Sequence, residues 1–294
     1  MLRHKNRWSG MIYVAPAMVF VAIFVLWPLC HLIWLSFTAK SLMSGPDTPV
    51  DFIGLENYAR AFGDKNFWRA MTFTLTYTAY ITPILLVLNL ALALLVSKNT
   101  PLRRVTRTVV FLPVVIGLAS SSLLWYWLFD QQVGLFNRLL VDLSVLDEPL
   151  VWFKKAMTGQ FAVIISVVWK VVGFGMILMV AGIQAIGNDV IEAAMIDGAS
   201  PWKRVRRIII PLAMRSIVLA TLISAIGSML AFDQFYLMTG GGPRGQTFTT
   251  VYWIYQSSFV RFELGYGAAQ AVLLMVVITS GTALQLWLSR KGQK

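Results

Sequence analysis

The sequence predicts an all-α integral membrane protein with six transmembrane helices, both termini cytoplasmic, and a cytoplasmic helix-turn-helix loop between spans 4 and 5. Three observations predict it. Of the 294 residues, 57% are hydrophobic and only 13% charged, whereas an ordinary soluble domain is about a quarter charged. The apolar residues fall in long runs that meet the ~20 residues a bilayer core of roughly 30 Å requires, not in the alternating ten-residue strands of a membrane barrel. The basic residues cluster on alternate sides of those runs.

The elements follow in order. Residues 1–10 carry Arg3, Lys5 and Arg7 and no acid. Span 1, about 11–37, contains Pro16 and Pro28, which membrane helices tolerate. A polar segment with Pro46 and Pro49 precedes span 2, about 70–96, with Pro83 inside. The loop 97–107 holds Lys98, Arg103, Arg104 and Arg107. Span 3, about 108–129, carries Pro113 and the run Ser120-Ser121-Ser122. A polar loop leads to span 4, about 160–186, then to a polar segment, 187–211, and span 5, about 212–238. A loop beginning Gly240-Gly241-Gly242-Pro243 precedes span 6, about 267–288, and a tail with Arg290, Lys291 and Lys294. The chain reads as a single transmembrane domain, 1–294. The first apolar run is too long for a signal-peptide core and no small-residue cleavage site follows it, so no cleavable leader is expected.

Charge placement sets the orientation. The N-terminus, loop 97–107, the segment 187–215 and the tail carry fifteen Lys and Arg against three acids, and the three opposite loops carry nine of each. The net charge of +12 therefore lies on one side. The positive-inside rule makes that side cytoplasmic. Basic residues distributed as topology signals also remove the nucleic-acid reading that a basic soluble protein would invite. The single cysteine, Cys30, excludes an internal disulfide and offers no metal cluster. The histidines are His4 in the basic tail and His31 in span 1. No catalytic constellation can be assembled from these residues, and no GxxxxGK[ST] sequence is present.

The segment 187–211 is the most polar and most basic stretch between two spans. Asp189 followed by Glu192 has capping-box spacing, Ala193, Ala194 and Met195 favour helix, and Gly198 suits a C′ position with positive φ. Ser200-Pro201 has N-cap and N1 character and leads into Lys203, Arg204, Arg206 and Arg207. Two readings fit: a docking surface for another protein, or a basic loop lying on anionic headgroups.

The pattern Glu192-Ala193-Ala194, Asp197-Gly198-Ala199, Ile208 and Pro211 resembles the EAA loop of permease subunits of binding-protein-dependent ABC importers, with Ile210 in place of the family's leucine. The phrases FIGLENY (52–58), FLPVVIG (111–117), WLFDQQVGLFN (127–137), VWK (168–170) and MTGGGP (238–243) look like the carbohydrate-uptake branch, the maltose and glycerol-3-phosphate permease type. The resemblance implies a non-catalytic permease in the bacterial cytoplasmic (inner) membrane, in contact with lipid. It implies a second permease subunit, two ATPase subunits that carry the ATP and Mg, and an extracytoplasmic solute-binding protein. The chain itself is expected to bind no cofactor, metal or nucleic acid. It implies an ATPase-coupling role for Glu192, Ala193, Ala194, Asp197, Gly198 and Ala199, and a binding-protein contact at Gly240, Gly241, Gly242 and Pro243. A flexible hairpin tip is the plainer reading of that glycine run.

The solute path is sought where polar groups enter the spans. Charge inside a membrane marks a functional site by default. Lys170 lies in span 4 and Asp233 near the outer end of span 5, either as a self-neutralising pair or as a polar lining, with Phe174 one turn from Lys170. In span 5, Ser224, Gly227, Ser228 and Ala231 share one face, read either as close helix packing or as pore lining. Positions counted to match sugar-contacting ones in maltose-type relatives are small here, which puts direct substrate contact by this subunit in doubt. The rival class is a six-span secondary transporter or channel for a polar solute, which needs no docking loop.

Overall fold

The computed structural model describes residues 7–45 and 49–291, with side chains placed over 13–45 and 49–289. Arg3, His4, Lys5, Pro46 and Lys294 lie outside the described residues, as do the side chains of Arg7, Arg290 and Lys291. In chain order the α-helices are α1 (Arg7–Val21), α2 (Trp27–Leu35), α3 (Glu56–Gly63), α4 (Lys65–Val96), α5 (Pro101–Val115), α6 (Leu118–Leu128), α7 (Leu135–Asp142), α8 (Ala156–Gln184), α9 (Asn188–Ile196), α10 (Pro201–Arg204), α11 (Ile210–Leu212), α12 (Met214–Met229), α13 (Thr250–Tyr255) and α14 (Leu264–Lys291). Four wide-turn segments join some of them end to end.

Among the described residues, four stretches are long and apolar enough to cross a bilayer: Tyr13–Leu35, Lys65–Val96, Ala156–Gln184 and Leu264–Ser289. They match the expected spans 1, 2, 4 and 6. Span 3 departs from the expectation of an unbroken helix, and a second bend falls at the entry to span 5. The pair Pro101–Val115 and Leu118–Leu128 is bent by 98°, and Pro201–Leu212 and Met214–Met229 by 73°. The first break has a local cause. Ile116 is extended at φ −69°, ψ 138° and Gly117 at φ −58°, ψ 146°, so α5 stops two residues after the helix-weakening Pro113 and α6 starts afresh. Span 5 also ends early, at Met229. The Ala231 carbonyl is taken by the Thr249 hydroxyl at 2.7 Å, and helix resumes only beyond Phe232.

The chain divides into two compact units, one holding residues up to Lys65 with Ile254–Val276, the other Asn66–Trp253 with the residues from Val277 on. In the first, the FIGLENY phrase folds the chain back on itself. Gly54 takes φ +59°, and Asn57, 6% exposed, donates to the Ser36 and Thr38 carbonyls at 3.0 and 2.8 Å. Arg60 pairs with Glu263 at 2.9 Å and lies 4.0 Å over the Tyr266 ring. Both charged groups are partly exposed, so the pair contributes only ~0–1 kcal/mol.

In the second unit α8 packs on α5 and α12. Its core joins Ala93 and Val96 of α4, Met176, Met179, Val180 and Ile183 of α8, and Ala213, Ile217 and Ala220. Glycines allow the close approach. A Cβ on Gly173 would lie 2.3 Å from the Val110 carbonyl oxygen, and one on Gly175 2.0 Å from the Asn89 amide. Arg107 has a structural role beyond its charge. Its guanidinium donates to the Val96, Ser97 and Lys98 carbonyls, closing the C-terminus of α4, whose last carbonyls have no partner within the helix.

Candidate functional site

The second unit encloses a cavity of about 620 Å³. Its walls come from α4, the 114–118 break in span 3, α8, and α12 with the 230–234 break beyond it. The residues sought from sequence, Lys170, Phe174, Ser224, Gly227, Ser228 and Asp233, all line it. A Cβ on Gly227 would meet nothing within 4 Å, so this face of α12 opens onto space at that position and does not press on a neighbour. Ser228 turns partly inward, donating to Thr78 Oγ1 at 3.1 Å and to the Ala225 carbonyl at 2.8 Å.

Lys170 and Asp233 do not form the self-neutralising pair. The Lys170 ammonium donates to the Pro113 and Val114 carbonyls at 2.9 and 2.8 Å, and no ion pair joins it to Asp233 among the described residues. The sequence reading missed Tyr77 and Gln234, which line the same cavity. Tyr77 is fully buried, with Gln234 the polar side chain beside it and no hydrogen bond of good geometry at its hydroxyl. Nothing in the TLTYTAYI run marks Tyr77 out.

Across the segment 187–211, α9 ends in a turn set by Gly198 at φ +69°. Ala199 N–H donates to the Ala194 carbonyl at 2.9 Å and Gly198 N–H to the Met195 carbonyl at 3.1 Å, the paired bonds of a glycine-closed helix end. Ser200 accepts from the Lys203 N–H and Pro201 occupies the first turn of α10. The N-terminus of α9 differs from the capping-box expectation. The helix begins two residues earlier, after Gly187, with no side-chain cap. The Asp189 carboxylate folds back so closely that a Cβ on Gly187 would lie 2.3 Å from it. Glu192, Ala193, Asp197 and Gly198 are exposed, and Ala194 is buried. Val190, Met195, Ile196 and Trp202 are exposed beside them.

The loop after Met238 is a hydrogen-bonded knot. Thr247, fully buried, bonds to Thr239 and to the Gly242 carbonyl, each at 2.8 Å. Gly241, at φ +76°, lies against the Phe248 ring, where a Cβ would come within 2.2 Å. Gly241 therefore faces inward, Gly240 is exposed, and Gly242 and Pro243 are half-buried.

The WLFDQQVGLFN phrase builds a second ordered loop. Asp130 accepts from the Gln132 and Val133 N–H groups, which holds its carboxyl below the usual carboxylate range. A lowered pKa means this turn is supported above that range and loosens as pH falls through it. Asn137, 2% exposed, donates to the Asp130, Gln131 and Leu150 carbonyls and accepts from Leu150 N–H and Trp152 Nε1. Asn137→Ala is expected to cost roughly 1–3 kcal/mol through the polar groups left unmatched. Limited proteolysis of the purified complex should then cut the 143–151 segment about tenfold faster, a factor of ten corresponding to ~1.4 kcal/mol.

Apolar helices gathered round an internal cavity, with a basic helical arm at one end, define a membrane transport protein of the permease class. The chain belongs to the family of binding-protein-dependent transport system inner membrane components, whose sequence profile matches residues 58–293. It is 32% identical to the sulfoquinovosyl glycerol transport system permease protein SmoG of Agrobacterium fabrum, over 97% of this chain and 91% of that one. It is 30% identical to the trehalose/maltose transport system permease protein MalF of Thermococcus litoralis, over 98% and 96%. With the sn-glycerol-3-phosphate transport system permease protein UgpA of Yersinia pestis it shares 30% over 95% and 92%. A bacterial ABC transporter that imports the acidic polysaccharide alginate has the same fold, with TM-score 0.84 at 21% identity over 98% of this chain and 96% of that chain.

Proposed function

We propose that this chain forms half of the translocation path of an ATP-driven importer for a sugar or related polar solute, handed over by an extracytoplasmic binding protein. The observation that carries the reading is the shared cavity: Phe174, Ser224, Gly227, Ser228 and Asp233, from two helices and a loop, line one space with Tyr77 and Gln234. Sugars are bound by aromatic faces together with a few placed polar groups, and most small-molecule pockets are largely apolar with few polar anchors. The solutes for which the relatives are named, sulfoquinovosyl glycerol, trehalose or maltose, and sn-glycerol-3-phosphate, support the same class. A second permease supplies the other half of the path. Span 1 favours such a partner, since none of its apolar window is buried within this chain.

In this reading Glu192–Ala199 docks on an ATPase subunit that carries ATP and Mg, with one ATPase for each permease. Met195 and Ile196 are exposed between the acidic Glu192 and Asp197, and acids on this helix favour a protein surface over anionic headgroups. The Gly240–Pro243 knot offers its exposed face to the binding protein. The basic segments lie in the cytoplasm, in the inner membrane of a bacterium, and the whole chain works as one permease domain.

The test is reconstitution. In vesicles holding both permeases, the ATPases and the binding protein, solute uptake is expected only with ATP. Uptake by this chain alone, driven by an ion gradient, overturns the reading in favour of a secondary transporter. Ser228→Trp is expected to fill the cavity and lower uptake about tenfold or more, equivalent to ~1.4 kcal/mol or more, with the complex still assembled. Unchanged uptake would place the path elsewhere.

A further inference from the structure

We infer that Lys170 is a positioning residue, not a solute ligand: supplied from α8, its ammonium group closes the broken end of α5 and holds the 114–118 wall of the cavity in place. The last carbonyls of any helix have no partner within it, and a bilayer interior offers no water to replace one. The end of α5 meets the first condition, and its carbonyls take their partner from another helix. The chain turns extended at Ile116, and the Ile116 N–H reaches back to the Pro113 carbonyl at 3.2 Å. The Val114 carbonyl receives Lys170 Nζ at 2.8 Å, and Pro113 receives the same atom at 2.9 Å.

Three further observations agree. Lys170 is only 6% exposed, although a lysine is free to extend its head toward water. Gly173, three residues along α8, brings that helix onto the preceding turn of α5 at Val110, so contact and cap act on successive turns of one helix. A cation at a helix C-terminus also meets the negative end of the helix dipole. An ammonium has three N–H donors, and two of them are committed to the wall. The costly intramembrane charge is thus used by the scaffold. Among the described residues Asp233 is the other charged side chain that lines the cavity.

The inference depends on the import reading only for its consequence in transport. The test is made without solute or ATP, so the two fail separately. In the complete complex, with Cys30→Ser and Ile116→Cys, reaction with N-ethylmaleimide reports the wall. Lys170→Met is expected to speed labelling of that position about tenfold, the change that ~1.4 kcal/mol produces. Lys170→Arg, which keeps N–H donors, is expected to label close to the parent rate. Native Cys30, probed without the two cysteine changes, should label at an unchanged rate in the Lys170→Met chain, marking the effect as local. Loss of Lys170→Met from the membrane while Lys170→Arg is retained and protected supports the inference equally, because a solute ligand is not needed for insertion. Labelling of Lys170→Met at the parent rate overturns it, as does a defect confined to the affinity for anionic solutes.

Discussion

Gly198→Val is expected to abolish solute uptake by the reconstituted complex while leaving the chain in the membrane at its normal level. The argument is confined to the backbone. Gly198 holds φ +69° and a Cβ there would meet nothing within 4 Å, so no packing is disturbed. What changes is the left-handed conformation, which costs an ordinary L-residue roughly 1–2 kcal/mol, and a β-branched one more. The cheaper course for the chain is to give up the turn. With it go the bonds from Ala199 to Ala194 and from Gly198 to Met195, and α9 no longer ends where α10 can begin. Gly198→Asn, which tolerates this region, is expected to keep most of the uptake. Equal uptake by the valine and asparagine chains would show that this turn is not what couples the segment to transport.

Gly173→Leu is expected to remove the protein from the membrane altogether. Here the argument is packing. Even a methyl group at this position lies 2.3 Å from the Val110 carbonyl oxygen and 2.7 Å from Phe111 Cα, and backbone atoms cannot swing aside as a side-chain tip can. Overpacking of this kind costs typically 1–3 kcal/mol and more where the backbone must move. The wall that Lys170 closes would be pushed away from α8 at the same time. Gly227→Leu is the matched control. The same side chain enters open space there, so it is expected to leave the membrane level unchanged and to act on uptake alone. Immunodetection of both chains in membrane fractions, with thermal aggregation of the purified complexes, separates the two outcomes.

The difference between these glycines marks the limit of what the sequence discloses. Long spans are legible because hydrophobic length is a property of each segment by itself, and four of them sit where the apolar runs place them. Gly198 is legible for the same reason: a helix end needs a left-handed residue, and small helix formers before it with Ser-Pro after it announce where. The bends in span 3 and at the entry to span 5 are not legible as bends, because a proline in a membrane helix is compatible with either outcome. In span 3 the freed carbonyls go to Lys170, dozens of residues away. Gly227 reads as packing or lining according to what stands opposite, and Tyr77 gives no sign at all. Lys170 shows the limit most plainly. Its rarity in an apolar span flags it, but only the geometry assigns its charge to two carbonyls in place of Asp233.

The bend at Ala213 has a mechanical consequence. Residues 201–212 form a rod that meets α12 at 73°, and the joint is seated in the core, with Ala213 only 2% exposed and Ser216 pressed against Gly182 of α8. Twelve residues at 1.5 Å each make a crank arm of roughly 18 Å. A push of about 3 Å at its far end, beside Gly198, corresponds on that length to a turn of roughly 10° at the seated joint. A rigid rod of that length would convert a small displacement at one end into a rotation at the other, by an amount set by the number of residues between Pro201 and Leu212.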